Sequence, residues 1–239
     1  MIDLNKALAP LDVNSLIQYK LNDAQYFREE HPKTQIFFHH TAGNSNPYNV
    51  IDFWGSNPER IATAFVIGGN PTTAKFKQKP WKDGEILQAF SSKYWAYHLG
   101  LKQEVFTKAG VQYKPLDKTS IAIELCSWGQ LQLKDGKFIN YVGGEVPANE
   151  VVEYSTPFRG FKYYHKYSDA QIESLIKLMK YLCEKFNIPK TYNADIWDIS
   201  KRILAGESGI CTHVSVRSDK FDNHPQAELI QGLQALSNT

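Results

Sequence analysis

Cysteine is scarce in this chain of 239 residues, which has only Cys126, Cys183 and Cys211. No two of them form a CxxC pair, and an odd, small number argues against a disulfide scaffold. We therefore expect each thiol to be a small, buried, apolar group.

Long apolar runs and a strong excess of one charge are also missing. No window approaches about 18 consecutive apolar residues, so no membrane-spanning helix is expected. The formal net charge is only +2, which favours neither nucleic acid nor an acidic membrane as the principal partner. The first residues, MIDLNKALAPLDVNSL, contain no basic stretch followed by an apolar run. We expect no secretory signal, and hence synthesis as a soluble cytoplasmic chain.

Three common catalytic patterns are absent as well. The chain contains no HExxH helix motif, no GxSxG nucleophile elbow and no glycine-rich phosphate loop. Histidine is nevertheless present at seven positions, which are His31, His39, His40, His98, His165, His213 and His224. A metal site in this protein would have to be assembled from separate elements.

The composition and the hydrophobic pattern predict one α/β domain over residues 1–239. Apolar residues make up 42% and charged residues 22%, as in ordinary globular proteins. No repeat or linker divides the chain. Periodicity predicts strands at 35–39, 63–67, 85–90, 120–126 and 209–214, and helices from 47, at 168–187, at 195–204 and at 226–236. We expect a central mixed β-sheet flanked by helices.

Two helix starts carry clear capping signals. Asn46 and Pro47 suit the N-cap and the first helical position, and Ser168 with Gln171 fits a capping box. The core face of the first helix is predicted to contain Val50, Ile51, Phe53 and Trp54.

His39 and His40 stand at the end of an apolar strand. Because neighbouring residues of a strand point to opposite faces, only one of the two side chains can face a shared site. The alternative is that both are hydrogen-bonded polar groups at a strand end.

Glu124 lies between Ile123 and Leu125 in the strand SIAIELC. A carboxylate on a buried strand is costly unless it is paired or hydrogen-bonded, and proteins place such groups where a cation or a reaction needs them. The alternative is an edge strand on which Glu124 faces water.

The segment THVSVRSDKFD (212–222) combines a histidine with a Lys-x-Asp pair. Imidazole and carboxylate are both good zinc ligands. The alternative is a solvated polar loop.

Taken together, the motifs resemble those of the type 2 N-acetylmuramoyl-L-alanine amidases, the zinc amidases of the phage-lysozyme and peptidoglycan-recognition-protein family. The matching segments, in the family's order, are FFHHTAG (37–43), TAFVIGG with DGEILQAF, AYHLG (96–100), SIAIELCSWG (120–129) and THVSVRSDKFD (212–222).

This resemblance implies one zinc ion per chain, held by His39, His213 and Asp222. It also implies Glu124 as general base, Lys220 as a catalytic residue that stabilises the oxyanion, and a substrate-binding role for His98.

Three departures from the family pattern stand out. The spacing from His213 to Asp222 differs slightly from the spacing in the family. The Lys-x-ligand spacing is kept, and it favours Asp222 over Asp219. Residues 129–167 look like an insertion, and Thr63 occupies the region where some members have a catalytic tyrosine.

The function implied by the resemblance is hydrolysis of the amide bond between N-acetylmuramic acid and L-alanine in peptidoglycan. The enzyme would act on the cell wall after release, as a phage endolysin does. The alternatives are an amidase that recycles soluble muropeptides, a peptidoglycan-binding module without activity and a structural phage component. Peptidoglycan or a muropeptide is the expected partner, and the oligomeric state is left open.

Overall fold

A six-stranded sheet forms the centre of the protein, whose computed structural model describes residues 1–71 and 79–239. The strands are β1 (Ile17–Gln18), β2 (Gln35–His40), β3 (Phe65–Ile67), β4 (Ile86–Gln88), β5 (Ser120–Leu125) and β11 (Gly209–Thr212). They lie in the order β1-β4-β3-β5-β2-β11. All neighbours run parallel except β3 and β4, which run antiparallel. The predicted central mixed sheet is therefore confirmed.

The strand β2 is buried along its whole length, because it lies between β5 and β11. Ile36, Phe37 and Phe38 have no exposed surface. Parallel neighbours end at one edge of the sheet, so the carboxyl ends of β2, β5 and β11 come together there. In α/β folds such an edge is where ligands commonly bind.

A second sheet of five strands occupies much of the stretch for which we predicted an insertion. Its strands are β6 (Gln130–Lys134), β7 (Lys137–Ile139), β8 (Glu145–Val146), β9 (Val151–Phe158) and β10 (Phe161–His165). The order is β8-β7-β6-β10-β9, and every neighbouring pair is antiparallel. That this stretch is an insertion stays a prediction.

The helices of the described residues are seven in number. They are α1 (Leu4–Leu8), α2 (Pro47–Gly55), α3 (Gln103–Ala109), α4 (Leu116–Thr119), α5 (Asp169–Phe186), α6 (Lys201–Leu204) and α7 (Ala227–Ser237). The longest, α5, begins with the predicted capping box of Ser168 and Gln171. It packs against α1, α7 and β3, and it buries its apolar stripe in the core.

Three local predictions were wrong. The helix expected at 195–204 is a 3-10 helix (Ala194–Trp197) followed by the short α6, since Asp198 is extended and Ser200 caps a new helix start. The strand expected to reach Val214 ends at Thr212, where a 3-10 turn begins. In α2, Phe53 is 66% exposed instead of lying in the core.

The three cysteines are free and buried, as expected. Among the described residues, no helix combines the length and apolar character needed to cross a bilayer.

Candidate metal centre

Two histidines and one aspartate converge at the carboxyl ends of β2 and β11. The Nδ1 atom of His39 lies 3.1 Å from Nδ1 of His213. The Oδ2 atom of Asp222 lies 3.1 Å from the first of these nitrogens and 2.9 Å from the second. These are the three residues predicted to bind zinc, and they form the candidate metal group found among the described residues.

The sheet register explains why these side chains meet. Thr212 pairs with Phe38, so His213 follows β11 at the level of His39. His39 itself pairs with Glu124 on β5. Side chains of paired residues lie on the same face of a sheet, so the carboxylate of Glu124 faces the same side as the ring of His39.

His40 turns to the other face, as strand alternation predicts. Its Nδ1 accepts hydrogen bonds from the hydroxyl of Tyr167 at 2.9 Å and from the backbone N–H of Asn223 at 3.1 Å. Gly129 lies directly beside this ring, and a Cβ there would stand 2.5 Å from Nε2 of His40. The positive φ of +72° at Gly129 also favours glycine.

The outer partner of His213 determines which ring nitrogen carries the proton. Nε2 of His213 lies 3.0 Å from the carbonyl oxygen of Leu99. A carbonyl can only accept, so Nε2 is the donor and Nδ1 of the neutral ring presents a lone pair to the metal group.

A series of hydrogen bonds between side chains determines which ring nitrogen of His39 carries the proton. The hydroxyl of Ser120 donates to the carbonyl of Leu116 at 2.6 Å, so it accepts from Nε2 of His98 at 2.8 Å. Nδ1 of His98 is then an acceptor, and the N–H at Nε2 of His39 donates a hydrogen bond to it at 3.0 Å. Nδ1 of His39 therefore also presents a lone pair to the metal group.

The three converging atoms fit a zinc ion. Two lone-pair nitrogens and a carboxylate oxygen repel one another at about 3 Å unless a cation lies among them. Zinc ligands at about 2.0–2.2 Å in tetrahedral geometry lie roughly 3.3 Å apart. The observed separations of 2.9 to 3.1 Å are slightly shorter than this.

The protonation states of the group suit metal binding. Burial lowers the pKa of His39 to about 4. Burial alone would raise the pKa of Asp222, but the contacts with His213 and His39 outweigh it and hold that pKa well below its ordinary value. Near neutral pH the group therefore offers a neutral imidazole and an ionised carboxylate, the forms that bind metal.

Two nearby side chains that could be mistaken for the third ligand have other partners. Asp219 accepts two hydrogen bonds from Arg217 and is 65% exposed. His224 is fully buried and uses both ring nitrogens, one toward Tyr154 and one toward the carbonyl of His165. Neither belongs to the metal group.

A cavity of about 310 Å³ opens over the metal group. Its wall includes Glu124 and Lys220, so both predicted catalytic residues lie in the same space as the three metal-group residues. Desolvation by the surrounding protein raises the pKa of Glu124 well above its ordinary value, Asp222 raises it further, and Lys220 opposes the shift. The catalytic roles of Glu124 and Lys220 stay predictions.

His98 lies behind His39 and also reaches the cavity wall. Its side chain is only 4% exposed, and both of its ring nitrogens contact protein groups. Asp117 fixes its backbone by accepting from the N–H of His98 at 2.8 Å. Substrate binding by His98 stays a prediction, and its hydrogen bonds are those of a residue that orients His39.

Three aromatic residues, Trp54, Trp95 and Tyr97, differ in their surroundings. Trp54 lines the cavity. Trp95 is buried and stacks on Phe27 at 3.9 Å, so it supports the fold. Tyr97 is 45% exposed.

Comparisons with known proteins show the family through one match and the fold through another. A family model described as N-acetylmuramoyl-L-alanine amidase matches residues 29–225. The structure of PlyL is similar, with a TM-score of 0.50 and 12% identity over 94% of this chain and 99% of that chain. A mutant of PlyL gives a TM-score of 0.52 at the same identity and coverage. At this identity the likeness shows the fold alone. No curated protein matches the chain.

Proposed function

The chain belongs to the N-acetylmuramoyl-L-alanine amidase family, and from this membership we propose that it is a zinc-dependent hydrolase of peptidoglycan. The proposed scissile bond is the amide between the lactyl group of N-acetylmuramic acid and L-alanine. One observation carries the proposal: His39, His213 and Asp222 converge in a cavity whose wall also holds Glu124 and Lys220.

The metal group is proposed to hold one zinc ion, which when bound supplies a Lewis acid that polarises the scissile carbonyl and acidifies water. The chain fixes the donors in advance. Leu99 orients His213 and His98 orients His39, so little rearrangement is needed on binding.

Glu124 is proposed as the general base. Its raised pKa brings it closer to the pH at which it works, and a base with a pKa near the working pH transfers protons efficiently. It would take a proton from the attacking water and deliver it to the nitrogen of the leaving amine. The C–N bond breaks, and a lactyl carboxylate and the free amino group of L-alanine result.

Lys220 is proposed to stabilise the negative charge that develops on the carbonyl oxygen. An ammonium group in a partly dry cavity stabilises such a charge more than it would in water. Lys220 and Asp222, two positions apart, both line the cavity.

We propose intact peptidoglycan as the substrate, reached after release of the enzyme in the manner of an endolysin. The test is mass spectrometry of products from purified sacculi and, separately, from soluble anhydro-muropeptides. New L-alanine amino termini from sacculi support the proposal. Cleavage of soluble muropeptides alone would indicate a recycling enzyme, and binding without any product would indicate a non-catalytic wall-binding module.

A further inference from the structure

Residues 213–224, here called the ligand segment, carry two of the three metal-group residues and Lys220. Apart from the 3-10 turn His213–Ser215, the segment has no regular secondary structure. It therefore lacks the ladder of backbone hydrogen bonds that fixes β2, and its geometry depends on contacts from other parts of the chain.

The first of these contacts comes from Arg159, at the turn between β9 and β10 of the second sheet. One guanidinium nitrogen donates to the carbonyl of Val214 at 2.8 Å, and the other donates to the carbonyl of Ser218 at 3.3 Å. The side chain is only 14% exposed, and it also pairs with Asp198 at 3.1 Å. Val214 directly follows His213, so Arg159 holds the backbone beside that ligand.

The second contact is at the other end of the segment, around His224. Nε2 of His224 lies 3.2 Å from the carbonyl of His165, so it is the donor, and Nδ1 accepts from the hydroxyl of Tyr154 at 2.7 Å. The imidazole lies between the rings of Tyr164 and Tyr167, with centroids at 4.6 and 4.5 Å.

A third contact lies next to Asp222 itself. Phe161 at the start of β10 meets the ring of Phe221 edge-on at 5.2 Å. The second sheet thus touches the ligand segment beside His213, beside Asp222 and at His224.

We propose that the second sheet positions the ligand segment for metal binding, with Arg159 and Tyr154 as the positioning residues. The inference rests on the proposed zinc function of the site. Arg159 and Tyr154 contact no predicted ligand directly and would act through the backbone of Val214 and Ser218 and through His224. Loss of an outer partner that bonds a metal ligand directly typically weakens metal binding by about 10- to 100-fold, so an effect transmitted through the backbone is expected at the lower end of that range.

The test compares Arg159→Ala and Tyr154→Phe with two controls from the same sheet. Lys162→Ala removes an exposed ion pair with Glu153, and Tyr163→Phe removes a hydroxyl from β10. Zinc dissociation constants are measured by competition with a chromophoric chelator. We expect each test variant to bind zinc about tenfold more weakly, and each control to bind it as the wild type does.

Hydrogen exchange gives a readout that needs neither zinc nor hydrolysis. We expect the amides of residues 213–224 to exchange faster in both test variants, while those of β2 and β5 stay unchanged. Equal acceleration in all these regions would reveal a general loss of stability and would overturn the proposal. Unchanged zinc affinity and exchange would overturn it too.

The outcomes separate this inference from the proposed function. Zinc binding that falls in the test variants of a chain unable to cleave sacculi would leave the positioning role intact and refute the activity. A wild-type chain without zinc affinity would refute the metal, while the exchange data would still decide on the role of the second sheet. Should Arg159→Ala fail to fold, Tyr154→Phe decides, since it removes only one oxygen.

Discussion

The two halves of the metal group are held in different ways. His39 lies on β2, a fully buried strand with a parallel neighbour on each side. His213 and Asp222 lie on the ligand segment, which is held by side chains such as Arg159 and Tyr154. One half is therefore fixed by the backbone ladder of the core, whereas the other depends on a few separate side-chain contacts. We therefore expect substitutions around the second half to alter the site without disturbing the six-stranded sheet.

The largest effect is expected from removing the metal-group residues themselves. His39→Ala, His213→Ala and Asp222→Ala should each lower the bound zinc from the proposed one per chain to near zero. A catalytic zinc is held by only three protein ligands, so the loss of any one of them weakens binding strongly. Elemental analysis after dialysis measures the stoichiometry. His40→Ala is the control and should keep one zinc per chain, since its ring faces Tyr167 and Asn223. If Asp222→Ala still binds one zinc ion per chain, Asp222 is not a zinc ligand.

Glu124→Gln should separate catalysis from metal binding on the β2 side of the site. The amide keeps the shape of the side chain and removes the base, so we expect turnover to fall by about 10² to 10⁴, with zinc affinity kept. The initial rate of release of L-alanine amino termini from sacculi gives the measurement. A near wild-type rate would show that another group takes the proton.

His98→Phe tests whether the β2 half also depends on a side chain. The substitution keeps a ring behind His39 but removes the acceptor of its Nε2 proton. We expect zinc affinity to fall by about 10- to 100-fold, and Ser120→Ala to give a smaller loss in the same direction. If zinc affinity is kept and only KM rises, His98 binds substrate instead of orienting His39.

The sequence shows these two halves with unequal clarity. The apolar run before His39, the alternation of His39 and His40 and the capping box at Ser168 are local signals, and the structure follows them. The partners of the proposed metal ligands and of the rest of the ligand segment are not local. Leu99 lies 114 positions from His213, and Tyr154 lies 70 positions from His224. No periodicity in the chain relates such residues, so the second sheet's contacts with the ligand segment emerge only from the fold.

The smallest expected effect concerns Tyr167, which links the two halves through His40. Its hydroxyl donates to His40 Nδ1, and the same nitrogen accepts from the N–H of Asn223, the residue after Asp222. Tyr167→Phe removes one of these two donors and keeps the ring that stacks on His224. Because His40 retains the second donor, we expect the free energy of unfolding to fall by only about 0.5–1.5 kcal/mol, with zinc affinity changing less than in Tyr154→Phe.

Urea denaturation of the zinc-free protein measures the free energy of unfolding. The matched control is Tyr26→Phe, which removes a hydroxyl bonded to the exposed Asp23. A larger loss of zinc affinity in Tyr167→Phe than in Tyr154→Phe would mean that His40, on the β2 side, holds Asp222 more firmly than the second sheet does.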